Sequence, residues 1–392
     1  MRFVSEIEVK GKLVFLRVDF NVPLDESGAI RDDTRIRASL PTIKDLLDRG
    51  ARLVIASHLG RPKGKPDPKL SLKPAAVRLA QLVPNNIIMA PDVVGEEVER
   101  LKSGLREGQA LVLENVRFYK EEEANDPGFA RELARGVEIY VNDAFGSSHR
   151  AHASVVGVAE FVPVRAAGFL MGKEVEALKK VVHTPERPYI AILGGAKVSD
   201  KIEVIESLIG KADRVLIGGA MAYTFLYAKG FGVGKSLVEP DQKETALAVL
   251  ARAAEKGVRV DLPLDHLIAS SADAGANLAI ADSPPLPEGM MGVDIGPKTV
   301  AEYSRAIAGA KTIFWNGPMG IFEVEPFARG TMEIARAVAA SGAFSVVGGG
   351  DSIAALKRAG LKDKVSHVST GGGASLEYIA YGTLPGIDVL EK

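Results

Sequence analysis

The sequence predicts an α/β protein of two domains, each a parallel sheet with helices on both faces. Three observations carry this. At 392 residues the chain is too long for one ordinary core and suits two. Strand-like apolar runs alternate with helical stretches along its whole length. Many of those runs are apolar at successive rather than alternate positions, the pattern of strands covered on both sides in a three-layer sandwich. A TIM barrel would alternate strand and helix in the same way, but the length and the two sets of strands argue against one barrel.

In the first half the strand candidates are Leu13–Val18, Leu53–Ala56, Ile87–Met89, Ala110–Leu113 and Glu138–Val141. Helical stretches such as Leu40–Arg49, Lys73–Leu82 and Glu96–Leu101 lie between them. In the second half Tyr189–Leu193, Arg214–Ile217, Val258–Leu262, Thr312–Trp315 and Phe344–Val347 read as strands. They alternate with helices such as Ile202–Ile209, Gln242–Lys256 and Met332–Ala340. Between the halves, Glu174–Val182 reads as a helix that ends in the breaking run His183-Thr184-Pro185-Glu186-Arg187-Pro188. It reads equally well as an arm between domains or as one more surface helix.

Composition narrows the function classes. Hydrophobic residues make up 46% and charged residues 25%, an ordinary globular balance. Lys and Arg number 49 against 50 Asp and Glu, for a net charge of −1, so nothing points to nucleic acid, although a local basic cleft remains open. The absence of Cys excludes disulfides, thiolate metal sites and cysteine nucleophiles. Met1–Lys12 lacks a signal peptide's apolar core, and the apolar stretch Ala153–Met171 is broken by Glu160 and Arg165. A cytoplasmic enzyme is expected.

Ligands of open parallel sheets bind beyond the carboxyl ends of the strands, and the first half places polar residues there repeatedly. Its strands run into Asp19-Phe20-Asn21, Ser57-His58-Leu59-Gly60-Arg61, Glu114-Asn115-Val116-Arg117 and Asn142-Asp143-Ala144-Phe145-Gly146, the last followed by His149-Arg150-Ala151-His152. His58, Arg61, Arg117, Arg150 and His152 would share one rim, with Arg35 in reach. Guanidinium forks grip phosphate or carboxylate oxygens in pairs, so the rim would receive a small polyanion. Taken singly, each arginine is a solvated loop residue, and Asp19 and Asn21 are turn or cap residues. The recurrence at successive strand ends carries the reading.

The second half offers glycine turns instead. Gly194-Gly195-Ala196-Lys197-Val198-Ser199-Asp200-Lys201 joins a strand to a helix, which makes it a phosphate cradle or simply a tight turn with surface lysines. Gly218-Gly219, Gly348-Gly349-Gly350-Asp351-Ser352 and Gly371-Gly372-Gly373-Ala374-Ser375 follow. Asp351 suits magnesium, but by its position alone a helix cap is the favoured reading. No Gly-x-Gly-x-x-Gly follows the first strand of either half, and Gly230–Ser236 falls one residue short of a Walker A loop. An anion receptor in one half and phosphate turns in the other suggest a transferase. A nucleotide-regulated binding protein is the alternative; it would need the cradle without the acceptor pocket.

These blocks resemble the phosphoglycerate kinase family end to end. The resemblance lies in Arg17-Val18-Asp19-Phe20-Asn21-Val22-Pro23, Ser57-His58-Leu59-Gly60-Arg61-Pro62, Leu113–Phe118, Asn142–Gly146 and His149–His152. It continues through Leu193–Lys201, Phe314-Trp315-Asn316-Gly317-Pro318, Gly348–Asp351 and Ser369–Ser375. It implies two Rossmann-like three-layer (α/β/α) domains joined by a helix and hinge. Residues 1–170 would bind 3-phosphoglycerate, 171–188 would form the hinge, 189–376 would bind nucleotide, and the tail 377–392 would return to the first domain.

The resemblance further implies reversible transfer between 1,3-bisphosphoglycerate and MgADP, without a general base, by a monomer that closes on its substrates. Asp19, Asn21, Arg35, His58, Arg61, Arg117 and Arg150 would hold the acid. Gly194, Gly195, Lys197, Lys201, Gly218, Gly219, Gly292, Asn316, Pro318, Glu323, Gly349, Gly350, Asp351 and Ser352 would hold ATP or ADP, with Asp351 on Mg2+. Gly371, Gly372 and Gly373 would place a helix N-terminus at the phosphoryl group. Arg35, Lys197 and Gly372 would be catalytic. Met319, where a second proline often stands, and Ser352, where threonine is frequent, depart from the family's common form.

Overall fold

In the computed structural model, which describes residues 1–392, the first six strands form one all-parallel sheet. They are β1 (Leu13–Arg17), β2 (Arg52–Ala56), β3 (Ile87–Met89), β4 (Ala110–Val112), β5 (Ile139–Asn142) and β6 (Val164–Ala167), in the order β3-β4-β2-β1-β5-β6. Every residue of β1 is buried, as its unbroken apolar run requires. The helix Thr34–Asp48 leads from β1 toward β2 and buries Ile36, Ile43, Leu46 and Leu47. Register pairs Arg17 with both Ala56 and Asn142, so β1, β2 and β5 end level and their following loops leave from one rim.

A second six-stranded parallel sheet contains β7 (Tyr189–Leu193), β8 (Arg214–Ile217), β9 (Arg259–Asp261), β13 (Thr312–Asn316), β14 (Phe344–Gly348) and β15 (His367–Val368), ordered β15-β14-β13-β7-β8-β9. Beside it lies a feature that sequence reading missed. The strands β10 (His266–Ala269), β11 (Leu278–Ala281) and β12 (Met291–Ile295) form a small antiparallel sheet in the order β11-β10-β12. Its core of Tyr223, Leu226, Val233, Ile268 and Leu286 is separate from that of the main sheet. The segment Gly230–Ser236 is a structural loop: a Cβ at Gly234 would lie 2.3 Å from the Met290 carbonyl.

By contacts the chain divides into Met1–Glu176 with Thr383–Lys392, and Ala177–Gly382. The division falls within the helix Phe169–Val182. That helix is fixed at its start by Asp143, whose Oδ1 accepts from Leu170 N at 2.9 Å and Met171 N at 3.1 Å. The returning tail begins at Thr383, later than the 377 expected. Residues 377–381 continue the helix Gly373–Tyr381, which is tied to the second unit where Ser207 Oγ donates to Ile379 O at 2.7 Å and Tyr381 bonds Glu203. From Thr383 the partners change. Asn142 Nδ2 donates to Gly386 O at 3.0 Å, and Gly386 N to Ser148 O at 2.8 Å. No helix is long and apolar enough to cross a membrane.

Candidate active site

At the rim of the first sheet, the loop after β1 turns on Asp19, whose Oδ1 accepts from Asn21 N at 3.1 Å. Its Oδ2 accepts from Arg35 Nη1 at 2.7 Å, so the helix Thr34–Asp48 presents Arg35 to the rim. Asn21 Oδ1 takes the amide of Gly60 at 2.9 Å and fixes the loop after β2. Asn115 binds both amide and carbonyl of Leu59 and starts the turn that carries Arg117. Arg117 donates to Gly60 O at 2.9 Å, while its buried Nε has no hydrogen-bond partner. Arg150 donates to His149 Nε2 at 3.1 Å.

The cluster is strongly cationic and poorly solvated. Burial, together with the charges of Arg150 and Arg17, pushes the Arg117 guanidinium down to about 10 despite the opposing pull of Glu123. His152 is pushed down to about 3 by burial and then by Arg117, Arg17 and Arg150. His58 is held well below its ordinary range by burial and then by Arg17, Arg117 and Arg35. These histidines are therefore neutral donors or acceptors beside fixed positive charge, surroundings that favour an anion. Asp19, Asn21, His58, Arg117, Arg150 and His152 come together from the strand ends, and Arg35 joins them from the first turn of the helix Thr34–Asp48. Arg61 is exposed and makes no hydrogen bond within the cluster.

The second unit builds its site from glycines that let three strand ends touch. Gly194 N donates to Asn316 O at 3.0 Å, Gly195 N to Pro318 O at 3.1 Å and Gly219 N to Met319 O at 2.9 Å. A Cβ at Gly194 would lie 2.0 Å from the Pro318 oxygen, and one at Gly218 would lie 2.4 Å from Met319 Sδ. Above this mesh lies a cavity of about 310 Å³ walled by Gly195, Gly219, Tyr223, Gly292, Pro318, Glu323 and Asp351, among others. Gly292 is required there, since a Cβ would fall 1.8 Å from the Tyr223 hydroxyl.

Lys201 and Lys197 have different surroundings. The Lys201 ammonium donates to Gly194 O, Asn316 O and Asn316 Oδ1 at 2.6, 3.0 and 2.6 Å. Burial pushes it down to about 8, against the pull of Asp351 and Asp200. Lys197 is exposed on a loop that Glu239 anchors by accepting from Val198 N and from Ser199 Oγ. Asn316 Nδ2 is buried without a partner. Ser352 Oγ accepts from Gly317 N at 2.6 Å.

Asp351 does not cap its helix, as one reading of the sequence had it. Gly349, at φ 90°, is the N-cap of the helix Gly350–Arg358, and Asp351 stands exposed in the first turn. Gly372, at φ 55°, plays the same part for the helix Gly373–Tyr381, and a Cβ on either Gly372 or Gly373 would meet open space.

A phosphoglycerate kinase family model matches residues 4–381. The chain belongs to the phosphoglycerate kinase family. It is 55% identical to the phosphoglycerate kinase of Anaeromyxobacter dehalogenans strain 2CP-C, with all of both chains covered. It is 52% identical to the cytosolic phosphoglycerate kinase of Triticum aestivum, over 99% of this chain and 98% of that one. Among solved structures it resembles the phosphoglycerate kinase of Coxiella burnetii, with a TM-score of 0.91 at 41% identity over 99% of this chain and 97% of that one. For the Pyrococcus horikoshii enzyme the TM-score is 0.84 at 35% identity, over 100% and 98%.

Membership in the phosphoglycerate kinase family makes the chain an enzyme, a kinase of glycolysis, and implies use of magnesium with ATP or ADP. The residues fit a metal that arrives with a nucleotide. No group of three or more His, Cys, Asp or Glu could hold an ion by protein alone. Asp351 offers one exposed carboxylate at the cavity, and Mg2+ commonly takes one or two carboxylates with phosphate oxygens completing its shell. Sequence reasoning missed Arg17, Glu122 and Ser154 beneath the cationic cluster, Glu239 under the Lys197 loop and Tyr223 on the cavity wall. An arginine closing the apolar run Leu13–Leu16 was the available signal for the first of these.

Proposed function

We propose that this chain catalyses reversible phosphoryl transfer between 1,3-bisphosphoglycerate and MgADP, giving 3-phosphoglycerate and MgATP by direct in-line displacement. The observation that carries the reading is the pairing of chemistries within one chain. One unit gathers Arg35, Arg117 and Arg150 around neutral histidines; the other has a cavity of about 310 Å³ with the exposed Asp351 carboxylate on its wall, and an exposed lysine in the loop after β7.

In the ATP-consuming direction the nucleophile is a carboxylate oxygen, already ionised near neutral pH, so the reaction needs no general base. The neutral histidines fit that requirement, because none has to take a proton. Catalysis then consists of alignment and of charge stabilisation on the equatorial phosphoryl oxygens. Arg35 holds the acid's reacting end, Lys197 follows the transferred group, and the amides at Gly372 and Gly373 donate to its oxygens. Asp351 would hold the magnesium, which would supply charge neutralisation of the phosphates when bound. Asn316 Nδ2, buried without a partner, donates to the nucleotide.

Transfer without loss to water requires the two ligands to be enclosed together, and the segment 169–188 is the hinge in this reading. The protein works as a monomer. A coupled assay for acyl-phosphate formation from ATP and 3-phosphoglycerate, with other small acids as controls, tests the proposal. Turnover confined to 3-phosphoglycerate is expected, and absence of turnover with it would overturn the assignment.

A further inference from the structure

His58 is the member of the cationic cluster whose proton is placed by a neighbour. Arg17 Nη2 lies 3.3 Å from His58 Nδ1. A guanidinium carries only donors and keeps its charge, so Nδ1 must offer a lone pair. This excludes the imidazolium and the Nδ1–H tautomer together. What remains is a neutral ring with its proton on Nε2, while the ring's side-chain hydrogen bond within the protein is the one at Nδ1.

Arg17 is held in turn. Its Nε donates to Ser154 Oγ at 2.8 Å, and Nη1 donates to the Val18 carbonyl. Having accepted from Arg17, the Ser154 hydroxyl donates to Glu122 Oε1 at 2.6 Å, and Glu122 Oε2 accepts from Ser154 N at 2.8 Å. None of these four side chains belongs to a residue more than 5% exposed. The bonds therefore diverge from Arg17, one to His58 and one to Ser154, and the Ser154 branch ends on a Glu122 carboxyl group shut away from solvent.

We propose that Glu122, Ser154 and Arg17 are positioning residues, a buried relay that fixes His58 as a neutral Nε2–H donor toward the anionic acid. The identity of that acid rests on the proposed function; the tautomer is a property of the free protein. A donor locked in this way recognises an oxygen lone pair by direction and adds no charge to a site already rich in it. The charged or titratable groups facing His58 are Arg17 from β1, Arg35 from the helix Thr34–Asp48, Arg117 from the loop after β4 and His152 from the loop after β5. All favour the neutral ring.

Nitrogen NMR of the full chain labelled at its six histidines tests this, with the His58 signals assigned by their loss in His58→Gln. Between roughly pH 6 and 8, where an ordinary histidine titrates, His58 is expected to show a protonated Nε2, a bare Nδ1 and no titration. A protonated Nδ1, or a midpoint near the ordinary ~6.5, would overturn the proposal. Ser154→Ala releases Arg17 Nε, so the guanidinium shifts from His58; this is expected to raise the Nδ1–H share and weaken 3-phosphoglycerate binding about tenfold, the loss of one well-placed charge-assisted bond. ADP affinity stays unchanged.

Glu122→Gln, which keeps an oxygen for Ser154, is expected to act in the same direction and carries the test if Ser154→Ala fails to melt cooperatively. Folded variants that lose acid affinity with the tautomer unmoved would reduce the relay to packing and refute it. If the wild type shows the tautomer but binds no 3-phosphoglycerate, the proposed function fails and the relay does not.

Discussion

Met319 shows why a single departure from a family's common sequence can be neutral. Its N–H donates to Thr331 Oγ1 at 3.0 Å, with both residues buried. Its thioether lies against Gly218, filling space no Cβ could share. Proline has no N–H. Met319→Pro should therefore lower stability by about 1–3 kcal/mol, the usual cost of stranding a buried polar partner. An unchanged denaturant midpoint would show that the bond is worth nothing. Lys197 poses the complementary case, exposed and bonded to nothing, so its removal disturbs no fold. Lys197→Ala should cut kcat by roughly 10²–10³-fold, as loss of a transition-state donor does, with ADP affinity changed far less. Equal losses in both would place its role in ground-state binding. At this scale the rim residues were legible because they follow strand ends, where side chains must face the ligand side. Glu122 was not: within Glu121-Glu122-Glu123 it reads as one of a solvated run, and only the packed fold shows that it is fully buried.

Parallel strands announced themselves as elements because burial on both faces leaves an unbroken apolar run. The sheet β11-β10-β12 did not. Leu278, Ala279 and Ile280 of β11 are exposed, and no apolar alternation marks them as a strand. The helix Phe169–Val182 was legible only from Glu174 onward, and its fastening to Asp143 was not, since Asp143 stands among the polar residues at the end of β5. Burial raises Asp143 to about 6, outweighing the hydrogen bonds from Thr42, Met171 and Leu170, and Oδ2 has no partner. A folded value above the ordinary one means the fold favours the protonated acid. Its contribution is fully present below about pH 4 and is lost as pH rises through about 6, a change on the order of 3 kcal/mol. Asp143→Asn keeps an acceptor for the two helix amides and imitates the protonated acid. The melting temperature of this variant relative to wild type should therefore climb between about pH 4 and 6 and level off above. A difference flat across that window would show that Asp143 does not titrate there.

For the molecule as a whole, length and the doubled strand pattern were enough to read two α/β bodies, while the return of the chain was known only through family resemblance. The tail's attachment could not be read locally, because Asn142 and Gly386 are 244 positions apart and neither is unusual where it stands. The tail nonetheless belongs to the first unit, the one proposed to bind the acid. Leu384, Ile387, Val389 and Leu390 are buried, Arg165 Nη1 donates to Val389 O at 3.3 Å, and Gly386 fits over Ser148 where a Cβ would lie 2.7 Å from the hydroxyl. Asn142 ends β5, and Ser148 directly precedes His149 and Arg150 in the loop that follows it. Deleting residues 383–392 should therefore act on one ligand only. Burial of four such side chains is worth up to ~1.5–3 kcal/mol each before chain entropy is subtracted, so the first unit should melt many degrees lower. The affinity for 3-phosphoglycerate should fall at least tenfold as Arg150 loses its support, with ADP affinity retained. Calorimetry with each ligand on the same preparation decides the matter: parallel loss of both affinities, or acid binding untouched, would show that the tail does not serve the acid site in this way.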